Sequence, residues 1–181
     1  MKILFLDLDG TVRKTKSGAT FINDPYDQEL IPGVENAIAR YKGWKIFGIT
    51  NQGGVGAGFK TLNDCILEQA ETMRLLPQIQ SVCFCPDDGK TMYMVKSCTH
   101  KVTKDSIGGD VGNFCKPSPG MVLYVFNTFK KIGFMEEDIS WKFDKCLFVG
   151  DRPEDQQTAN NTNIPFMWAE EWRNGKHHLH I

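Results

Sequence analysis

The feature that most constrains the fold is the run Ile3-Leu4-Phe5-Leu6-Asp7-Leu8-Asp9-Gly10-Thr11. A short apolar run closed by a glycine turn fits a central parallel strand better than a helix. Open α/β sheets hold their ligands outside the carboxyl ends of such strands. Asp7 and Asp9 stand two apart, so in extended backbone both side chains point to the same side. Carboxylates this close repel unless a cation or a shared proton lies between them. An Asp-Gly pair alone supports only a turn, so the purpose of the two acids has to come from the rest of the chain.

The remainder alternates strand and helix signals. Val12 to Ile31 is polar and reads as a loop or small flap over the acids. A helix follows Pro32-Gly33, with Val34, Ala37, Ile38 and Tyr41 on one face and Gly43 as its stop. Trp44 to Thr50 is a second buried strand, running out into Asn51-Gln52-Gly53-Gly54. Thr61-Leu62-Asn63-Asp64 is a capping-box signature, and Leu62, Ile66, Ala70, Met73 and Leu76 give the helix after it an apolar stripe. Ser81 to Cys85 is a third strand. Ser118-Pro119 opens a third helix with Val122, Val125, Phe126 and Phe129 toward the core. Lys145 to Gly150 is a fourth strand ending at Asp151, a short helix starts near Pro153, and Ile164 to Trp168 is a fifth strand. The alternation predicts an α/β fold: a doubly wound, Rossmann-like parallel sheet in three layers with no large cap domain.

The chain has 181 residues, which suits a single domain over 1–181. Residues 86–115 lack periodicity and read as a long insertion loop, or one hiding a hairpin such as Thr91 to Val95. A hydrophobic fraction of 41%, a charged fraction of 24% and a formal net charge of -1 give no bulk signal for a polyanion partner or a membrane surface. No apolar run reaches membrane-spanning length, and the chain starts on its core strand, leaving no room for a signal peptide. The expected location is therefore cytoplasmic, where six cysteines are thiols or metal ligands rather than disulfides. The segment His177-His178-Leu179-His180-Ile181 is expected to be a mobile end.

The strand ends converge. Asp7 and Asp9, Thr50 and Asn51, and Asp151 fall at the ends of parallel strands, hence on one sheet edge, and Lys116 precedes a helix start that reaches it. Acids in this pattern can hold Mg²⁺, which prefers oxygen ligands. A carboxylate can attack phosphorus to give an aspartyl-phosphate, and a second one can protonate the leaving oxygen and then activate water. A lysine and a metal offset the phosphoryl charge. Thr50 and the amides of the glycine-rich turn can seat the phosphoryl oxygens.

Four segments resemble, in order, the motifs of the haloacid dehalogenase (HAD) superfamily: Asp7-Leu8-Asp9-Gly10-Thr11, Thr50-Asn51-Gln52, Lys116-Pro117 and Gly150-Asp151-Arg152-Pro153-Glu154-Asp155. The resemblance implies that Asp7 is the nucleophile and a Mg²⁺ ligand. It makes Asp9 the general acid/base, with its carbonyl on the metal. Thr50 then binds the transferred phosphate, Lys116 neutralises charge and binds phosphate, and Asp151 ligates Mg²⁺. Gly10, Thr11 and Asn51 shape the phosphate pocket, and Asp155 orients Lys116 or a metal-bound water. Most phosphatases of the superfamily carry an Asp where Asp9 stands, whereas dehalogenases do not, so the implied substrate is a phosphate ester. Without room for a cap, the chain resembles a capless branch holding histidinol-phosphate phosphatases, heptose-bisphosphate phosphatases and polynucleotide 3'-phosphatases. The segments Thr50 to Phe59 and Lys116 to Met121 carry that likeness.

The implied function is a Mg²⁺-dependent phosphomonoester hydrolase working through an aspartyl-phosphate. Its expected substrate is a small phosphorylated metabolite of the sugar-phosphate or histidinol-phosphate class. A polynucleotide 3'-phosphatase is the alternative, and a non-catalytic binding module retaining the fold is the alternative of another class. For nucleic acid, Arg13, Lys14 and Lys16, with Lys90, Lys96, Lys101 and Lys104, can flank an open site, but only Tyr93 interleaves with the loop lysines. In the first two groups a zinc loop often precedes the motif lysine. Here the pattern is broken: Asp87 replaces its His, Gly112 and Phe114 replace its later cysteines, and Cys115 replaces an arginine that contacts substrate in those relatives. Cys83, Cys85, Cys98, His100 and Cys115 nevertheless supply enough ligands for a rearranged structural Zn²⁺ site.

Overall fold

Strand β1 (Ile3–Leu6) is buried at every residue and is an interior strand of a seven-stranded sheet. Its alternation explains this. Leu4 and Leu6 enter one apolar cluster, and Ile3 and Phe5 enter the other. The structure, a computed structural model, describes residues 1–96, 102–106, 113–131 and 146–175. Parallel neighbours flank β1: β4 (Lys45–Asn51) in the register Leu6↔Gly48 and β8 (Cys146–Gly150) in the register Leu6↔Val149. Beyond them lie β5 (Ser81–Cys85), parallel to β4, and β9 (Phe166–Trp168), parallel to β8. The stretch 86–115 carries more order than its sequence suggests. Strand β6 (Thr91–Lys96) pairs back on β5, and β7 (Val102–Ser106) pairs on β6, both antiparallel.

Helices cover both faces. On one, α1 (Val34–Ala39), α2 (Leu62–Leu75) and α5 (Ala169–Arg173) bring Val34, Ile38, Met73 and Trp172 onto the Leu4 and Leu6 side. On the other, α3 (Gly120–Lys131) and α4 (Pro153–Asn161) bring Val122, Phe126 and Ala159 onto the Phe5 side. This is the expected doubly wound, three-layer arrangement. In place of a cap domain, the segment after β1 forms a short ribbon of β2 (Arg13–Lys14) and β3 (Glu29–Leu30). Among the described residues no helix is long and apolar enough to cross a membrane.

Helix α2 departs from its expected stripe. Thr61 caps it as predicted, accepting from the Asp64 amide at 3.0 Å. Its buried residues, however, are Cys65, Glu68, Gln69, Glu71, Thr72 and Met73, while Leu62 and Ile66 are only partly covered. The reason is electrostatic: a fully buried arginine lies against this face and needs polar partners there.

Candidate active site

The ends of β1, β4 and β8 open into one cavity of about 820 Å³, lined among others by Asp7, Asp9, Gly10, Thr50, Asn51, Lys116 and Asp151. The chain therefore brings the predicted strand-end residues together. Asp7 extends β1, its amide donating to Val149 O at 2.9 Å, and its side chain is 8% exposed. Lys116 Nζ donates to Asp7 Oδ1 at 2.5 Å and to Asp155 Oδ1 at 2.6 Å. Thr11 Oγ1 donates to Asp7 Oδ2 at 3.1 Å. Asp155 is seated in the first turn of α4, where its Oδ2 accepts from the amides of Asp151 and Arg152 at 3.2 and 3.1 Å. Two glycines make this closeness attainable. A Cβ on Gly150 would stand 2.3 Å from Asp155 Cβ, and one on Gly10, where φ is +87°, would stand 2.1 Å from Asp151 Oδ2.

The site is short of positive charge. Burial pushes the Asp7 carboxyl up to about 7; Lys116 opposes this, while Asp155 and Asp9 add to it. Burial, with Asp155 next, also raises Asp151. For Lys116 burial disfavours the charge, but Asp7 and Asp155 outweigh it and hold the ammonium protonated. Asp7, Asp151 and Asp155 each offer an oxygen within 4.8 Å of the others. Three clustered carboxylates facing one lysine suit a hard divalent cation such as Mg²⁺. Asp155 accepts from Lys116 and two amides, and Asp7 from Lys116 and Thr11, so Asp151 is the least engaged of the three.

Asp9 lies at the cavity but does not join that cluster. Arg13 holds it two-handed, Nε to Oδ1 at 2.9 Å and Nη2 to Oδ2 at 3.2 Å, and Gln52 Nε2 donates to Oδ2 at 2.9 Å. Burial would raise the Asp9 carboxyl, but the Arg13 guanidinium, helped by Lys60 and Gln52, keeps it below its ordinary value. Arg13 is itself fully buried and also bonds Glu68, Thr72 Oγ1 at 2.5 Å and Gln28 Oε1 at 3.5 Å. Lys60 Nζ closes the network on Glu68 Oε2 at 2.5 Å and Gln52 Oε1 at 2.8 Å. Arg13 is thus not available to an external phosphate, contrary to its reading as part of a basic flank. Lys14 pairs with Glu29, Lys16 donates to Tyr26 O, and Lys90 pairs with Asp88.

Other predicted residues take particular places. Thr50 is buried and accepts from Gln52 Nε2 at 3.1 Å. The Asn51 side chain, expected at the phosphate, brackets the Lys116 backbone: Nδ2 donates to Lys116 O at 3.0 Å and Oδ1 accepts from Lys116 N at 2.9 Å. Sequence reasoning missed Gln52, Lys60, Glu68 and Arg173 as parts of the site. Arg173 Nη1 donates to the carbonyls of Gly10 and Thr11 at 3.0 and 2.8 Å, pinning the turn after the acids. The available signal was Glu68 and Thr72, polar residues four apart on one face of a helix otherwise read as amphipathic.

The zinc expectation is not supported. Cys83 and Cys85 are buried in the Phe5-side core, and burial raises the Cys83 thiol to about 12, away from the thiolate that zinc requires. Among the described residues no group of three cysteine or histidine ligands comes together; Asp7, Asp151 and Asp155 form the one such metal-ready group. Cys98 and His100 lie outside the described residues, as does the segment from 177 to 181.

The chain is similar to known proteins in sequence and fold. A family model described as polynucleotide kinase 3 phosphatase matches residues 2–172. A Thermoplasma volcanium protein named "Probable D-glycero-D-manno-heptose-1,7-bisphosphate 7-phosphatase" is 27% identical over 92% of this chain and 97% of its own. The D-glycero-beta-D-manno-heptose-1,7-bisphosphate 7-phosphatase of Rhodopseudomonas palustris is 25% identical over 89% of this chain and 79% of its own. The crystal structure of a D,D-heptose 1,7-bisphosphate phosphatase from B. bronchiseptica, complexed with magnesium and phosphate, superposes with a TM-score of 0.64. It covers 99% of this chain and 88% of that one at 21% identity, a likeness of fold.

Proposed function

We infer the chemistry from one premise: the chain belongs to the polynucleotide kinase 3 phosphatase family, and it is a phosphatase of the HAD type. The observation that carries the mechanism is Lys116 bridging Asp7 and Asp155 beside the open carboxylate of Asp151. Asp7 attacks the phosphorus of a phosphomonoester, its Oδ–P bond forming as the ester P–O bond breaks. Asp9 gives a proton to the departing oxygen. It then takes one from a water that attacks the aspartyl-phosphate, releasing phosphate and restoring Asp7. To do this Asp9 turns from Arg13 toward the cavity. Thr50 and the turn amides of Gly10 and Thr11 seat the phosphoryl oxygens, and Lys116 balances the charge that Asp7 and the phosphoryl group share. Asp7, Asp151 and the Asp9 carbonyl would hold Mg²⁺, which would supply Lewis-acid charge neutralisation at the phosphoryl group.

The relatives named for heptose bisphosphates support a small sugar phosphate as the substrate. A second reading, the phosphate at a polynucleotide 3' end, draws on the family description and on Phe21 and Phe59. These two rings line the cavity yet are 68% and 79% exposed, free to stack on bases. The deciding experiment is phosphate release with Mg²⁺ from sugar phosphates, histidinol phosphate, nucleotides and 3'-phosphorylated oligonucleotides. The sugar phosphates should give the highest kcat/KM; a clear preference for the oligonucleotide selects the second reading. Asp7→Asn should lower turnover by at least about 10³-fold while the chain still folds, as read by circular dichroism. Turnover at the wild-type rate in that variant rules the mechanism out.

A further inference from the structure

The polar network around Asp9 closes into a ring. Asp9 bonds Arg13, Arg13 bonds Glu68, Glu68 bonds Lys60, Lys60 bonds Gln52, and Gln52 returns to Asp9. Charge alternates around the ring except at Gln52, its neutral member. Mutual neutralisation of buried charges accounts for the ionic members. It does not account for Gln52, which also reaches the phosphate seat. Its Nε2 donates to Asp9 Oδ2 at 2.9 Å and to Thr50 Oγ1 at 3.1 Å. Gln52 is buried and lines the cavity.

Gln52 is fixed at both ends. Its amide donates to Cys85 O at 2.7 Å and its carbonyl accepts from Val55 N at 3.0 Å, which locks the backbone just past β4. At the tip, Lys60 Nζ donates to Gln52 Oε1 at 2.8 Å. An ammonium can only donate, so this bond decides which way the amide faces: its oxygen toward Lys60, its NH₂ toward Asp9 and Thr50. Glu68 holds the Lys60 ammonium in place from the other side at 2.5 Å. The two oxygens of Asp9 are held unequally. Oδ1 accepts from Arg13 Nε at 2.9 Å, whereas Oδ2 accepts from Arg13 Nη2 at 3.2 Å and from Gln52 Nε2 at 2.9 Å. A carboxylate leaving Arg13 for the cavity can therefore keep its Gln52 bond, pivoting on Oδ2 beside Thr50 while Oδ1 swings free. Without that donor, the two-handed grip of Arg13 meets no competition and the acid stays parked.

We propose that Gln52, its amide oriented by Lys60, is the positioning residue on which Asp9 pivots from Arg13 to the leaving oxygen; this rests on the function inferred above, in which Asp9 protonates that oxygen as the ester P–O bond breaks. The role has a chemical signature that a merely structural glutamine lacks. An ester whose leaving oxygen is a strong base needs the proton. A dinitrophenyl ester, whose phenolate departs unaided, does not.

The test compares phenyl phosphate with dinitrophenyl phosphate on the Mg²⁺-loaded protein. In Gln52→Leu, kcat/KM should fall by about 10²-fold for the phenyl ester and by less than about threefold for the dinitrophenyl ester. The kcat for the dinitrophenyl ester should still fall, because Asp9 also activates the water that clears the aspartyl-phosphate, and the first turnover should then appear as a burst of dinitrophenolate. Lys60→Met should repeat this pattern, and it carries the comparison by itself if circular dichroism shows that Gln52→Leu does not fold. The double variant should lose no more than Gln52→Leu alone. Equal losses on the two esters, no loss on either, or additive losses overturn the proposal. One readout needs no turnover: in NMR spectra of the labelled protein, the Gln52 side-chain NH₂ should exchange slowly with water in the wild type and fast in Lys60→Met. Equal exchange in the two also overturns the proposal. Hydrolysis of neither ester by the wild type, with that NH₂ still protected, takes the proposal down together with the phosphatase function, and the protection tells this failure from that of Gln52 itself.

Discussion

Among the described residues Lys116 is the ammonium bonded to the buried acids Asp7 and Asp155, and Asp7 is left with a proton affinity unusual for a carboxylate. Burial lifts its pKa from an ordinary 3.8 to about 7. The linkage has a definite sign. Without metal, Asp7 contributes stability that is full below pH 3.8 and lost as pH rises through about 7. A metal ligand must be deprotonated, so Mg²⁺ competes with that proton. Calorimetric Mg²⁺ affinity should therefore fall by about tenfold per pH unit below 7 and level off above it, with proton release on the acid side only. A pH-independent affinity between 5.5 and 8.5, values chosen to straddle about 7, contradicts this account.

Arg13 joins elements that the sequence keeps far apart. It ties the turn after β1 to α2 through Glu68 and Thr72, with side chains of Arg13 and Glu68 0% and 2% exposed. Removing one partner of a buried ion pair strands the other, so Arg13→Met should destabilise the fold by about 3 kcal/mol in urea unfolding. Lys60 remains to Glu68 and keeps the figure at the low end. Adding Glu68→Gln to Arg13→Met should cost less than the sum of the two single changes. This network also marks the limit of sequence reading. The strands and their polar ends were legible because each follows a local rule: an apolar run, then a turn, with polar or acidic residues beside it. The Thr61 cap was legible for the same reason. The partnership of Arg13 with Glu68 was not, since no periodicity encodes which polar residue of a helix faces a charge from another element. The hairpin of β6 and β7 was half hidden, because its sheet edge is supplied by β5 rather than by its own composition. The cysteines suggested zinc because sequence proximity was read as spatial convergence, whereas the core absorbed Cys83 and Cys85.

The molecule leaves its site beneath a ribbon rather than a domain, so ligand binding has to stabilise the fold already present. Saturating Mg²⁺ should raise the melting temperature at pH 8, by an amount corresponding to about 2.7 kcal/mol at 100 times Kd. The Asp151→Asn variant should show little of this rise, and an undiminished shift there would place the metal elsewhere. The position of β1 has a further consequence, one of time. It is made before every other strand of the main sheet, yet its two neighbours in that sheet, β4 and β8, begin at Lys45 and Cys146. Contacts so distant along the chain form late and slowly. A ribosome therefore displays Asp7 early and withholds Asp151 and Asp155 until most of these residues are made, so the acid cluster is incomplete while the polypeptide is being built.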